Sequence, residues 1–168
     1  MYAPATFLQY SVASYGQAQR EVRTRQRAAQ AFAKAYDRGQ RRQFLARLTG
    51  RPQALASLHG ASADAGAGRR QLAARHYAGI HLVSIAQIVG SEGRQADFDA
   101  AFHPLRTHTQ DRWINVAEAR LRGVALPPVE LVQVDDKYYV RDGHHRISVA
   151  KAMGQREIEA EVTMWRSA

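Results

Sequence analysis

Asp142-Gly143-His144-His145-Arg146 is the run of this 168-residue chain whose residue types and spacing best suit chemistry. It lies between a predicted strand over 137–141 and a predicted helix over 146–153. A glycine at such a turn lets the backbone come close to a ligand and supplies φ > 0. The helix start offers unpaired N–H groups and the positive end of a dipole, which suits an anion. Arg146 at that start can grip a phosphate through two parallel bonds, with the amides of Gly143, His144 and His145 as co-donors. His144 and His145 add side-chain bonds or a proton transfer near neutral pH. Asp142 suits the orienting of a histidine or a divalent cation held through water, and equally a turn or helix cap. A phosphate or carboxylate site is one reading of the five residues. A tight turn whose polar side chains cap the helix is the other.

The elements that must position this run are legible from composition and periodicity. Gln17 to Asp37 is rich in Ala, Gln and Arg without proline or glycine, which predicts a helix broken at Gly39. A second helix is expected over Arg41 to Leu48, ended by Thr49-Gly50, and a third from Pro52 through Leu58. His59 to Gly68 reads as a flexible linker, and Arg69 to Tyr77 as a short helix. Ile80 to Ile88 reads as a strand and turn, Gly90 to Arg94 as a loop, and Ala96 to Phe102 as a short helix. Asp111 to Arg122 is amphipathic, with Trp113 packing and Gly123 as its stop. A hairpin turning at Asp135-Asp136 follows, and a last strand points Ile158, Ala160, Val162 and Met164 inward and Glu157, Glu159 and Glu161 outward. The plan is α+β: a small mixed β-sheet with packed helices.

Residues 126–163, from the double proline through the hairpin, the DGHHR loop, Gly154 and the last strand, resemble the ParB/sulfiredoxin-like fold family. The likeness extends back to about Ile80 and covers about half the chain. With the composition of the preceding residues it divides the chain into a basic helical extension over 1–58, a linker and short helix over 59–77, and a ParB/sulfiredoxin-like domain over 78–168. It also implies a nucleotide or phosphate group bound by Asp142, Gly143, His144, His145 and Arg146, with the 90–94 loop across the pocket and Arg94 as a second cation. One branch, the ADP-dependent free-serine kinases, carries the same DGHHR loop and an acidic base after its first strand. Glu92 falls at that spacing, and His144 and His145 join it as catalytic candidates. The cysteine of the sulfiredoxin branch is absent, so that chemistry is excluded. The ParB Gly-Glu-Arg-Arg loop is absent too, so CTP use and chromosome partitioning do not carry over.

Charge is segregated. Residues 1–76 hold 13 Lys and Arg against 3 Asp and Glu, and residues 77–168 hold 11 against 12. A basic arm of this kind attracts nucleic acid, anionic lipid or an acidic protein surface, or merely solvates a helix. Packing of Phe32, Tyr36, Phe44 and Leu48 against another subunit, in a homo-oligomer, is its alternative use. No apolar run spans a membrane, no secretory signal opens the chain, and the lack of cysteine agrees with a reducing cytoplasm. His103, His108 and Asp111 are too irregularly spaced for a metal site, and no Ser–His nucleophile motif or Walker loop occurs. The reading is a ParB-like domain that binds a nucleotide or phosphorylated ligand, with a DNA-associated or regulatory role. The cofactor is left open, a nucleotide with Mg²⁺ being the one considered. A small-molecule phosphotransferase and a non-catalytic interaction protein are the alternatives, so enzymatic activity is left undecided.

Overall fold

Alanine, glutamine and arginine without proline make a helix, and the chain is helical where that composition holds. The computed structural model describes residues 5–50, 53–58 and 72–167, with side chains over 15–50, 53–58 and 75–165. Its first helix, α1 (Ala5–Thr49), is one unbroken element and not two. Gly39 does not break it. A Cβ at Gly39 would lie 2.8 Å from the Pro104 carbonyl oxygen and 3.1 Å from His103 Cβ. That glycine is a point of close approach, where the helix lies against the 103–105 segment. The expected stop at Thr49-Gly50 is present, with Gly50 at φ 65°.

Two segments expected as helices are strands. Within 52–58 the chain forms β1 (Ala56–Ser57), and Leu55 and Leu58 are buried on either side of it. Within 69–77 the backbone from Leu72 onward already belongs to β2 (Leu72–Ser84). Both segments are short and lack a helical apolar stripe, so strand partners decide their state. The linker expected over 59–68 lies outside the described residues. The boundary drawn at residue 78 falls inside β2.

A 3₁₀ turn over Ile85–Gln87 leads to β3 (Ile88–Ser91), so Gly90 and Ser91 are strand and the loop proper starts at Glu92. The helix expected over 96–102 is absent. Asp99 takes its place as organiser: its Oδ1 accepts the Ala101 and His103 N–H groups at 2.9 and 2.8 Å. Its Oδ2 meets His103 Nδ1 at 3.0 Å and Arg42 Nε of α1 at 3.1 Å. Such side-chain bonds compete with helical ones, and they hold Phe102 at φ 60°. Then come α2 (Gln110–Leu121), the hairpin of β4 (Val129–Val134) and β5 (Lys137–Asp142), α3 (His144–Ala152) and β6 (Glu157–Ser167). Asp135 turns the hairpin at φ 53°. Gly123 stops α2 at φ 72° as expected.

The six strands form one mixed sheet in the order β1-β3-β5-β4-β6-β2. β4 pairs antiparallel to β5 and parallel to β6, while β3 joins β5 in parallel. The α+β plan therefore stands. One sheet face packs Val129, Leu131, Val140, Ala160 and Val162 against Ile147 and Ala150 of α3. The outward alternation of Glu157, Glu159 and Glu161 is as expected. Above α3, Trp113 of α2 is fully buried, donates Nε1–H to Ser148 Oγ at 2.8 Å, and meets Phe32 of α1 edge-on. Trp113 is thus a packing residue. Phe32 is buried within this same chain, whereas Phe44 and Leu48 are 63% and 69% exposed. Among the described residues no helix is long and apolar enough to cross a membrane.

Replacing Gly39 by alanine separates its two roles. Intrinsic helix propensity favours alanine by about 0.8–1 kcal/mol. The collision with the Pro104 carbonyl opposes it, and overpacking of this kind costs about 1–3 kcal/mol. Gly39→Ala is expected to lower the unfolding free energy in urea titration. A gain in stability would mean that α1 does not rest on the 103–105 segment.

Candidate anion-binding site

The backbone reaches the site through β5 and leaves it through α3. Gly143 is the hinge, at φ 99°. A Cβ there would stand 2.6 Å from Val129 Cγ1, so the positive φ and the close approach both require glycine. The first helical bond of α3 runs from Ile147 N–H to the Gly143 carbonyl at 3.0 Å. The N–H groups of residues 143–146 therefore have no intrahelical acceptor. The helix starts two residues earlier than the sequence suggests. His144 and His145 thus occupy its first turn, and Arg146 is its third residue.

His144 is held by Ser91. Its Nε2 lies 2.7 Å from Ser91 Oγ, and both residues are buried. Ser91 Oγ also accepts the Gly93 and Arg94 N–H groups at 3.2 and 3.0 Å. A hydroxyl has two acceptor lone pairs and one proton. With both lone pairs taken, Ser91 donates its proton to His144 Nε2, which leaves the His144 proton on Nδ1. The pair resembles a nucleophile and its base, yet Ser91 is fully buried and all its bonding capacity is committed to structure.

Burial lowers the His144 pKa to about 4, with the positive charge of Arg94 and then His145 adding to the effect. Burial likewise lowers the His145 pKa to about 4, followed by Arg112 and Arg94. Both imidazoles are neutral at pH 7. The Phe98 ring contacts both, stacked on His144 at 6.0 Å and edge-on to His145 at 5.4 Å. Both histidines are largely buried in the first helical turn. His145 Nε2 is buried with no hydrogen-bond partner.

Arg146 is committed to the loop. Its Nη1 donates to the Pro127 and Pro128 carbonyls at 2.7 and 2.6 Å, and its Nη2 donates to Asp142 Oδ2. The guanidinium thus ties the turn to the segment entering β4 and is not a free grip for phosphate. Asp142 answers Arg146 and caps the arrangement from the strand side. Glu92 lies elsewhere: its Oε2 accepts Arg141 Nε at 2.9 Å, and it does not line the concavity at the loop.

That concavity measures about 240 Å³ and is lined by Gly143, His144, His145 and Arg146, by Arg94 from the 92–97 loop, and by Arg112 and Val116 of α2. Arg94 is brought there as the sequence suggested, with only a long 3.5 Å contact to Asp97. Arg112 was not singled out from the sequence. It is exposed, and it forms no ion pair among the described residues. Its position on the flank of α2, beside the buried Trp113 and Ile114, is legible from periodicity; that this flank faces the start of α3 is a tertiary fact. Ser91 did carry a signal, since a serine two and three residues ahead of Gly93 and Arg94 can fold back onto their amides. A larger cleft of about 530 Å³ lies near the C-terminal end of α1, lined in part by Arg47, Gln53 and Arg106. A helix C-terminus carries the wrong dipole sign for an anion.

No family model matches the chain, and no curated protein matches it significantly. Among solved structures, the crystal structure of sulfiredoxin from Arabidopsis thaliana is similar over 53% of this chain and 85% of that one, at 17% identity and a TM-score of 0.39.

The two neutral histidines make stability pH-dependent. Their folded pKa lies near 4 and their ordinary value is 6.5, so between these limits the unfolded chain binds the extra protons. Stability is complete above about 6.5 and falls as pH drops toward 4, by up to about 1.4 kcal/mol per pH unit for each residue. His145→Leu removes a group with an unpaired nitrogen. It is expected to leave stability at pH 7 nearly unchanged and to halve the slope between pH 6.5 and 4. Ser91→Ala strands three partners and is expected to cost about 1–3 kcal/mol at pH 7. Urea titrations across that pH range check both; an unchanged slope in His145→Leu would show that His145 titrates normally.

Proposed function

We propose that this chain is a binding module for a phosphate group, carried on a small phosphorylated ligand or nucleotide and received at the N-terminus of α3. One observation carries the reading. Two guanidinium groups, Arg94 and Arg112, converge with the helix-start residues 143–146, whose amides have no intrahelical acceptor, on one concavity, and among the described residues no carboxylate other than Asp142 lines it. Asp142 is already answered by Arg146. The net field is positive, and the lowered pKa values of the two buried histidines respond to that same field as well as to their burial. Amides at a helix start supply directed donors, and the two arginines supply charge. The resemblance of the DGHHR run to the ParB/sulfiredoxin-like family agrees in kind with a phosphate ligand.

Binding is favoured over turnover. The base nominated by spacing, Glu92, is held by Arg141. His144 Nε2 accepts from Ser91, and His145 Nε2 is enclosed. The Nε2 atoms of both histidines and the Glu92 carboxylate are thus engaged or enclosed, which favours binding. Mg²⁺ would meet Asp142 with one of its two oxygens already taken by Arg146.

The roles of the arginines are separable. Titration calorimetry with inorganic phosphate, pyrophosphate and ADP, each with and without Mg²⁺, is expected to show binding. Arg112→Ala should weaken it by about 1.5–3 kcal/mol while leaving thermal stability unchanged. Arg146→Ala should lower stability by roughly 1–3 kcal/mol, since it releases two carbonyls and Asp142. Undiminished phosphate affinity in Arg112→Ala, or no binding by the wild type, would overturn the proposed site.

A further inference from the structure

The sheet face turned away from α3 has two different ends. Toward the C-terminal end of β6, Leu58 covers it, packed with Val132, Tyr139 and Trp165. Toward the N-terminal end of β6 the face is exposed among the described residues, with Arg120 and residues 124–127 at its edge. Glu157, Glu159 and Glu161 project from β6 there, and Glu130 of β4 stands in register with Glu161. All four are exposed, and none forms an ion pair among the described residues. Beside them, Ile80 and Leu82 of β2 stand opposite Glu161 and Glu159, at 61% and 64% exposure. Like charges directly opposite each other destabilise a strand pair, so Glu130 and Glu161 gain from any cation placed over them. Arg120 borders the cleft beside Glu157 and Glu159 without pairing with either.

α1 carries the complement. Arg20, Arg23, Arg27, Lys34, Arg38 and Arg41 are all exposed. At 3.6 residues per turn they fall within an arc of about 60°, a stripe roughly 30 Å long. Asp37 pairs with Arg41, and Arg20 touches the Gly16 carbonyl; the other four have no partner among the described residues. The stripe divides into two triplets with steps of about 4.5–6 Å. Alternate residues of a strand stand about 6–7 Å apart, so the row of three glutamates on β6 matches one triplet. The two surfaces cannot meet within one molecule. α1 packs on α2, α2 on α3, and α3 on the other face of the sheet.

We propose that the acidic end of this sheet face receives the cationic stripe of α1 from a second copy of the chain. Charge complementarity selects the occupant, and Ile80 and Leu82 meet the aliphatic stems of its arginines. The contact joins two different surfaces, so it is heterologous, and each added copy still offers a free stripe and a free face. Each exposed ion pair contributes little, so association depends on concentration and is screened by salt.

Sedimentation velocity of the full chain after nuclease treatment tests this. The average mass is expected to reach at least about twice that of the monomer at roughly 50 mM salt and return to the monomer at about 500 mM. Glu159→Gln with Glu161→Gln, and separately Lys34→Gln with Arg38→Gln, should each give monomers with unchanged thermal unfolding. Mixed together, the two variants should form a species of two chains, because one retains the stripe and the other retains the face. A monomeric wild type at low salt, variants that still associate, or a mixture that stays monomeric would overturn the proposal. So would association present before nuclease digestion and lost after it, which would make nucleic acid the occupant of the stripe.

Discussion

The hydroxyl of Ser91 is the interaction on which the site depends. It lies where β3 ends, and it accepts two amides from the loop that follows while donating to His144 at the start of α3. One oxygen thus fixes three things: the course of residues 92–94, the tautomer of His144, and the distance between that loop and the first turn of α3. Arg94 leaves the turn closed on Ser91, which carries its guanidinium to the same concavity as the helix amides. The hydroxyl's one proton and two lone pairs are all used within this arrangement.

A second consequence concerns charge. Two buried imidazoles beside two or more arginines would be costly if protonated, and their pKa values fall accordingly. The histidines are therefore neutral packing partners of Phe98 in the first turn of α3, and the positive charge is left to Arg94 and Arg112. Arg146 has a different task. Its fork holds the carbonyls of Pro127 and Pro128, which cannot be answered by a regular strand neighbour at that point, and it neutralises Asp142. The most conspicuous cation of the sequence motif builds the pocket wall, while a cation outside the motif faces the space.

The parts of the fold legible in the sequence were those with local causes. The hairpin at Asp135-Asp136, the amphipathic α2 stopped by Gly123, and the alternation along β6 each follow from turn chemistry or periodicity. The positive φ of Gly143 follows from its place between strand and helix. What failed depended on distant partners. β1 is two residues long and exists because β3 lies beside it. β2 has Ala-Ala-Arg in its first half, a poor strand signal, and is held by its pairing with β6. Gly39 reads as a breaker only if nothing approaches it. Residues 96–102 have helical composition, but Asp99 finds Arg42 and His103 and bends the chain otherwise. Of the site, the loop was legible and the allocation of its arginines was not, since a guanidinium's partner is set by tertiary packing.

These same contacts decide whether α1 is an appendage. Its composition suggests a basic arm added to a finished domain. Its middle, however, places Ala28, Phe32 and Ala35 in one cluster with Trp113, Ile114 and Val149. Arg42 answers the buried Asp99, and Gln40 donates to the Leu105 carbonyl at 3.1 Å. Asp99 organises the segment whose Phe98 ring packs on the two histidines. Burial pushes the Asp99 carboxyl toward protonation, but its bonds to His103 outweigh this and hold its pKa below the usual value. Removing α1 would leave that buried carboxylate without Arg42 and expose the outer side of Trp113. The position of Phe98, and through it the first turn of α3, is thus coupled to a helix that does not line the concavity. The helix is a structural wall of the domain on one side and a cationic surface on the other, and its arginines divide between those tasks according to the face on which they fall.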